Sequence, residues 1–302
     1  MASDLAAQGL ARVGQALGSG GGVEAVRRLT GGSQAVSHAL LFERVGWVVL
    51  KRWPSREPAV ATGEFARLRF ASRRGLPAPR PLAVDPDGDW FGGPALVMTH
   101  LAGQVVLRAA PGPWIAQSAE TLVRIHGTPL PTPLEPALAV PHAGIAWTPL
   151  PPERFPRTPR VRRLLAAVDR LQDDHRAGPG PQVFLHHDFR QHNVLWQRER
   201  LTGVVDWHDA RVGPAASDVA YATVDLVRTN GTRAADRFVA AYEAAGGAVD
   251  DLPRWQALWL ASQLPWMHRW TTVRLEPGGR TLTRALVTRR LRAFADRVIA
   301  RL

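Results

Sequence analysis

A chain of 302 residues can bury a sizeable core and is comfortable for a two-lobed enzyme. It contains no cysteine, which excludes a disulfide framework and any thiolate nucleophile or metal ligand, and points to the cytoplasm. Its 38 basic against 26 acidic residues suggest a phosphate-rich partner, yet Lys51 is the only lysine, so the remaining 37 cations are arginine.

Such an arginine bias, beside abundant Ala, Gly and Pro, reads as the mark of a GC-rich coding sequence. It raises the pI without requiring DNA and argues against nucleic acid as a partner. The start of the chain has no basic region followed by an apolar core, and no run approaches the ~18 apolar residues of a spanning helix, so no membrane partner is expected.

In chain order, residues 1–22 read as a flexible N-terminal segment, a short helix at Leu5–Leu17 followed by the glycine-rich Gly18 to Gly22. Strands are predicted at Val23–Leu29, Ser37–Glu43 and Trp47–Trp53, joined by turns at Thr30–Ser33 and Arg44–Gly46. The first of these turns is a glycine-containing loop whose N–H groups could cover phosphates, although two glycines before a serine also make an ordinary hairpin turn. Lys51 closes the apolar strand Trp47-Val48-Val49-Leu50. It is either a snorkelling strand-end cation or the ammonium that meets the α- and β-phosphates of a nucleotide, held by a carboxylate on the next helix. That helix is predicted from Ala59 to about Arg74, with Glu64, Leu68 and Ala71 on one face and Gly75-Leu76-Pro77 as its stop.

Two further strands follow at Pro79–Val84 and Ala95–Thr99, then a helix at Trp114–His126. Seven of the residues from Pro129 to Pro151 are proline, which predicts a surface loop whose Trp147 is a candidate for the rim of an acceptor site. Arg157–Arg176 reads as a basic amphipathic helix. Helices are expected near Ser217–Thr229, Thr232–Ala245, Pro253–Val273 and Thr281–Leu302. The third carries Trp255, Trp259, Trp266 and Trp270 on one stripe, kinked at Pro265, to be read as core packing or as an aromatic wall against the acceptor.

The most informative stretch is 183–209. Two apolar runs, Val194-Leu195-Trp196 and Gly203-Val204-Val205, flank a polar hexapeptide that can reverse the chain, with the turn centred near Glu199-Arg200. Asp188 feeds the first run, Asn193 opens it and Asp206 closes the second. Each alone is an ordinary turn residue. Together, His186-x-Asp188-x(4)-Asn193 and an apolar run closed by Asp206 supply a base for an acceptor hydroxyl and two oxygen ligands for magnesium. Arg190, two residues after Asp188, is spaced to add a cation at the γ-phosphate.

At these residues the chain resembles the aminoglycoside phosphotransferase and choline kinase family. The resemblance implies an α+β, protein-kinase-like two-lobed fold, with a small N-terminal lobe of antiparallel sheet and one main helix, and a larger, mostly helical C-terminal lobe. It places the nucleotide-binding lobe at 23–97, a hinge at 98–103 and the catalytic and acceptor-binding lobe at 104–302. It makes Asp188 the catalytic base, Asn193 and Asp206 the magnesium ligands, His186 a brace for the loop and Glu64 the partner of Lys51. Gly32, Ser33 and Gln34 would lie near the phosphates, and the segment from Met98 through His100 to Gly103 would meet adenine. Asp218, in Gly213 to Ala220, would pin the catalytic loop from behind, while His187 inherits no role.

The implied activity is transfer of the γ-phosphoryl group of ATP, with Mg²⁺, to a hydroxyl of a small molecule, either an antibiotic such as an aminoglycoside or macrolide or a metabolite alcohol. A nucleic-acid-associated basic protein and an ATP-binding regulatory pseudokinase are the alternatives. Residues 252–302 hold only Glu276 and Asp296 against ten arginines, which disfavours a polycationic acceptor. Asp209, Asp225 and Glu243 remain candidate acceptor contacts.

Overall fold

The structure, a computed structural model, describes residues 5–29, 35–107, 112–139, 158–173, 181–263, 273–274 and 281–302. It divides into two compact units, one of residues 1–102 with 203–208, the other of 103–202 with 209–302. The expected loop residues Gly32, Ser33 and Gln34, together with Trp147, Pro265, Trp266 and Trp270, lie outside the described residues.

The first unit is built on an antiparallel sheet of order β1-β2-β3-β5-β4, from β1 (Val23–Arg28), β2 (Val36–Phe42), β3 (Gly46–Arg52), β4 (Pro81–Asp85) and β5 (Ala95–Thr99). Strand alternation sorts its side chains between two faces. Leu40, Phe42, Val48, Leu50 and Val97 form one core cluster. Lys51, next to Leu50, points to the opposite face, where it meets helix α2 (Ala59–Arg73). The register is Lys51 opposite Ser37 on one side and Leu96 on the other.

The N-terminal segment is not a loose tail. Helix α1 (Ala7–Ala16) contributes Val13 to that same cluster, and Leu5 joins it from just before the helix. A Cβ at Gly9 would lie 2.3 Å from both the Phe91 ring and the Trp90 carbonyl, so glycine is what lets α1 seat on that turn. The turn itself is held by Asp85, whose carboxylate accepts the N–H groups of Gly88, Asp89 and Trp90.

The second unit is mostly helical: α3 (Gly112–His126), α4 (Pro159–Asp173), α5 (Ala215–Thr229), α6 (Thr232–Ala244), α7 (Leu252–Gln263) and α8 (Arg284–Ile299). Helix α5 is buried along almost its whole length although it carries Ser217, Asp218, Thr223, Asp225, Arg228 and Thr229. These buried polar side chains need partners. Among the strands, β6 (Gln104–Val105) pairs with β8 (Val194–Gln197), and β7 (Gln182–Leu185) pairs with β10 (Arg211–Pro214). Strand β9 (Arg200–Val204) follows β8 after a turn at Arg198-Glu199. That turn comes one residue earlier than expected, with Arg198 at φ +57°.

Helix α7 is described only to Gln263, and the expected helix does not extend to Val273. Val273-Arg274 instead pairs with Thr281-Leu282, forming β11 and β12. Thr283 then caps α8, its hydroxyl accepting the Leu286 N–H, so that helix begins at Arg284 rather than Thr281.

Candidate active site

In the first unit, three chain-distant elements converge on the one lysine. Lys51 Nζ donates to Glu64 Oε2 at 2.7 Å and Oε1 at 3.0 Å, and to Asp206 Oδ1 at 2.7 Å. Its side chain is 12% exposed and that of Glu64 is 1% exposed, so neither a snorkelling cation nor a solvated helix carboxylate describes them. Nζ also lies 5.2 Å from the centre of the Trp53 ring.

Asp206 sits at φ +68°, a left-handed conformation that Asp tolerates better than most residues. His208 Nδ1 lies 3.1 Å from the same Oδ1, and Arg67 donates to the His208 carbonyl at 2.5 Å. Burial by itself would raise the Asp206 carboxyl, but the bond to His208 and the charge of Lys51 outweigh it and hold the group well below the usual carboxylate range. Burial likewise works to lower Lys51, and the charges of Glu64 and Asp206 reverse that, raising it above the ordinary lysine value. Lys51 and Asp206 are thus both ionised at neutral pH.

Met98 is buried in β5, opposite Val49 and Pro81. His100, just past the strand, packs its ring 6.3 Å from that of Trp47, and burial followed by the charge of Arg27 lowers its pKa.

In the second unit, the loop after β7 carries the other set. Asn193 Nδ2 donates to Asp188 Oδ2 at 2.7 Å and to the Asp188 carbonyl at 2.9 Å. Both amide hydrogens are thereby committed to Asp188, which leaves Oδ1 as the group Asn193 can offer to a ligand. Arg190 lies 3.3 Å from Asp188 Oδ2. His186 is fully buried, its Nδ1 accepts the Asp188 N–H at 3.2 Å, and its ring stands edge-on to Phe189.

Behind the loop, Asp218 of α5 accepts the N–H groups of His186 at 2.8 Å and His187 at 2.7 Å. It also meets His126 Nε2 at 3.2 Å, while His126 Nδ1 meets the Tyr242 hydroxyl at 2.6 Å. Burial would raise Asp218, but the hydrogen bond to His126 and the nearby imidazoles hold it below its ordinary value. His187 takes φ +64° and packs its ring against Trp259, a contact the sequence did not signal. The His126–Tyr242 relay was also missed, since nothing in the spacing of two residues on separate helices marks them as a pair.

Asp206 Oδ2 in the first unit and Asn193 Oδ1 in the second take no part in the bonds above, and each by itself is an oxygen of the kind a hard cation accepts. Among the described residues there is no group of three or more His, Cys, Asp or Glu that could hold a metal ion. Magnesium commonly takes only one or two protein oxygens and completes its shell with water and phosphate.

Of the two remaining Trp-stripe residues that are described, Trp255 and Trp259 are both buried on α7, and Trp259 Nε1 donates to the Ser217 carbonyl at 2.8 Å. That favours core packing for this part of the stripe. Of the candidate acceptor contacts, Asp225 is buried beside Arg228, and Asp209 pairs with Arg211.

Several solved structures share this fold. Aminoglycoside phosphotransferase APH(4)-Ia, in a ternary complex with ADP and hygromycin B, aligns over 96% of this chain and 97% of its own at 16% identity and TM-score 0.61. A putative aminoglycoside phosphotransferase from Ralstonia eutropha aligns over 98% of both chains at 16% identity and TM-score 0.62. The amicoumacin kinase hAmiN, in complex with AMP-PNP, Ca²⁺ and Ami, aligns over 91% of this chain and 88% of its own at 15% identity and TM-score 0.60. At such identities the likeness speaks for the fold, which is the protein-kinase-like α+β fold expected from the loop motifs. No curated protein matches at the level of sequence. The model of a phosphotransferase enzyme family, however, matches residues 25–258, the span that carries both clusters and the helix behind them. The chain belongs to that family and is a phosphotransferase.

Proposed function

We propose that this protein transfers the γ-phosphoryl group of ATP to a hydroxyl of a small molecule, with magnesium. The observation that carries the reading is Lys51. The only lysine of an arginine-rich chain is buried between Glu64 and Asp206, a position that suits a compact ammonium better than a broad guanidinium. In the reaction Lys51 would meet the α- and β-phosphates, positioned by Glu64. Asp188 would orient the acceptor hydroxyl and take its proton, and Arg190 would offset charge on the transferring group. His186 would brace the loop. Asn193 and Asp206 would hold the magnesium, which supplies neutralisation of phosphate charge when bound. Met98 and His100 mark the segment that would meet adenine through its backbone, and Gly32, Ser33 and Gln34 the loop that would cover the phosphates.

The presence of every expected residue type supports an active enzyme over a regulatory pseudokinase. The antibiotics named with the APH(4)-Ia and hAmiN structures support an antibiotic or a similar metabolite alcohol as the acceptor class. The scarcity of acids in residues 252–302 supports a macrolide-like, nucleoside, amino-alcohol or sugar acceptor over a polycation. No helix among the described residues is long and apolar enough to cross a membrane. The test is a phosphate-transfer screen of alcohol-bearing antibiotics and metabolites with ATP and GTP. A phosphorylated product that disappears on Asp188→Asn and on Lys51→Arg is expected, and activity retained by either variant would remove the role assigned to that residue.

A further inference from the structure

Helix α8 carries five arginines and puts them to two uses. Val287, Leu291, Phe294 and Val298 form its buried side. Arg290 and Arg297 flank that side and fasten the helix to its neighbours. Arg290 donates to the Arg228 and Thr229 carbonyls of α5 at 3.3 and 2.8 Å, and Arg297 holds the Asp236 carboxylate of α6 through two bonds of 2.8 and 2.7 Å. Arg284, Arg289 and Arg292 are exposed, and among the described residues none of the three has a hydrogen-bond or ion-pair partner.

Those three arginines line a groove of about 800 Å³, together with Arg160 of α4 and Ala285, Thr288, Ala293 and Asp296 of α8. Asp296, the only acid among the described residues of the lining, is already matched. Arg160 Nη2 donates to its Oδ2 at 2.7 Å and Arg160 Nε to its Oδ1, a two-pronged pair that joins α4 to α8 at one end of the groove. The charge of the other three guanidiniums is left uncompensated. Ala285 and Ala293 keep the wall low between them, and Thr288 adds a hydroxyl. A coding bias toward arginine accounts for the number of these residues, but not for their convergence on one concave surface without a free acid.

The lining also narrows the ligand. Among the described residues no aromatic side chain lines the groove, so nucleic-acid bases have nothing there to stack on. No large apolar side chain lines it either, so it offers nothing to an acyl chain or to the apolar anchor of a partner protein. Packed helices stand roughly 8–10 Å apart, too close to seat a nucleic-acid duplex between them. What remains is a slender, highly charged anion. Guanidinium suits it, because each planar fork grips phosphate oxygens through paired N–H donors.

We propose that the groove between α4 and α8 is an anion site for a compact polyphosphate, gripped by Arg284, Arg289 and Arg292 with the Thr288 hydroxyl as a further donor. Its residues take no part in the transfer reaction proposed above, so the site stands or falls independently of that reading.

The probe is inorganic tripolyphosphate without magnesium, in ~0.15 M salt, where exposed charges more than about 8 Å apart are largely screened. Titration calorimetry and amide hydrogen exchange compare the wild-type chain, the double variant Arg289→Ala/Arg292→Ala, and Arg297→Gln, which removes one charge from the same helix outside the groove. Wild type should bind and gain protection over residues 284–296. The double variant should bind at least about 10-fold more weakly, with its melting temperature and any turnover of Mg-ATP unchanged. Arg297→Gln should stay within about twofold of wild type. An equal loss of affinity in Arg297→Gln would make total charge the cause and overturn the proposal. It would also be overturned by no binding in wild type, by protection confined to residues outside 284–296, or by orthophosphate binding as tightly as tripolyphosphate. Displacement of tripolyphosphate by a lower concentration of duplex DNA or polyglutamate would overturn it too, giving the groove to a macromolecule.

Discussion

Lys51, Glu64 and Asp206 come from a strand, a helix and a loop and hold one another by charge, whereas Asp188 and Asn193 stand five residues apart on one loop and are held by a helix behind it. The first arrangement is a buried ionic cluster in which each member is the counter-ion of another. The second is backbone capture, in which a buried carboxylate fixes main-chain N–H groups. Removing one member of the ionic cluster strands the others, so stability and function should fall together. In the captured loop the reacting side chain can be changed almost without loss of fold, while the brace behind it cannot.

The sharpest test of that contrast is Asp188→Asn. It keeps the shape of the side chain and an acceptor for Asn193 while abolishing the base, so kcat should fall by about 10³-fold with little change in melting temperature. Lys51→Met should behave differently, stranding Glu64 and Asp206 and costing roughly 3–5 kcal/mol in urea denaturation as well as activity. Lys51→Arg should regain much of that stability and little of the turnover. Asp218→Asn would leave one loop N–H without its carboxylate oxygen and is expected to cost about 1–3 kcal/mol. Its kcat should fall less than that of Asp188→Asn.

A smaller effect separates the clusters by pH. The Asp206 carboxyl is depressed on folding, so its contribution is complete above the ordinary value of 3.8 and is lost as pH falls below it. Lys51 is raised, so its contribution is complete below 10.5 and is lost as pH rises past it. The difference in melting temperature between wild type and Asp206→Asn should therefore be flat from about pH 5 to 9 and shrink at more acidic pH. The smallest effect belongs to Arg190→Gln. This partly exposed cation lies 3.3 Å from Asp188, and its loss should change kcat by no more than about 10-fold, with stability nearly unchanged.

Much of this was legible in the sequence because the relevant patterns are local. Lys51 ends an apolar strand, Asp188 and Asn193 keep a fixed spacing, and strands β1 to β3 and helix α2 fall within a residue or two of their predicted bounds. What was missed depends on contacts between distant segments. The pairing of β7 with β10 joins two four-residue strands too short to carry a clear alternation. The burial of Leu5 and Val13 turns on a single close approach at Gly9, which no periodicity announces. Helix α5 concealed its role for the opposite reason. Its burial along almost its whole length marks it as central, and Asp218 shows its purpose only once the loop it holds is in place.

The most direct measurement is transfer of labelled γ-phosphate from ATP to a panel of hydroxyl-bearing antibiotics and metabolites, run in parallel with wild type and Asp188→Asn at matched folded concentration. The account predicts an O-phosphorylated product with wild type, dependent on magnesium, and at least a ~10³-fold slower reaction with the variant. Equal rates from the two proteins would contradict it.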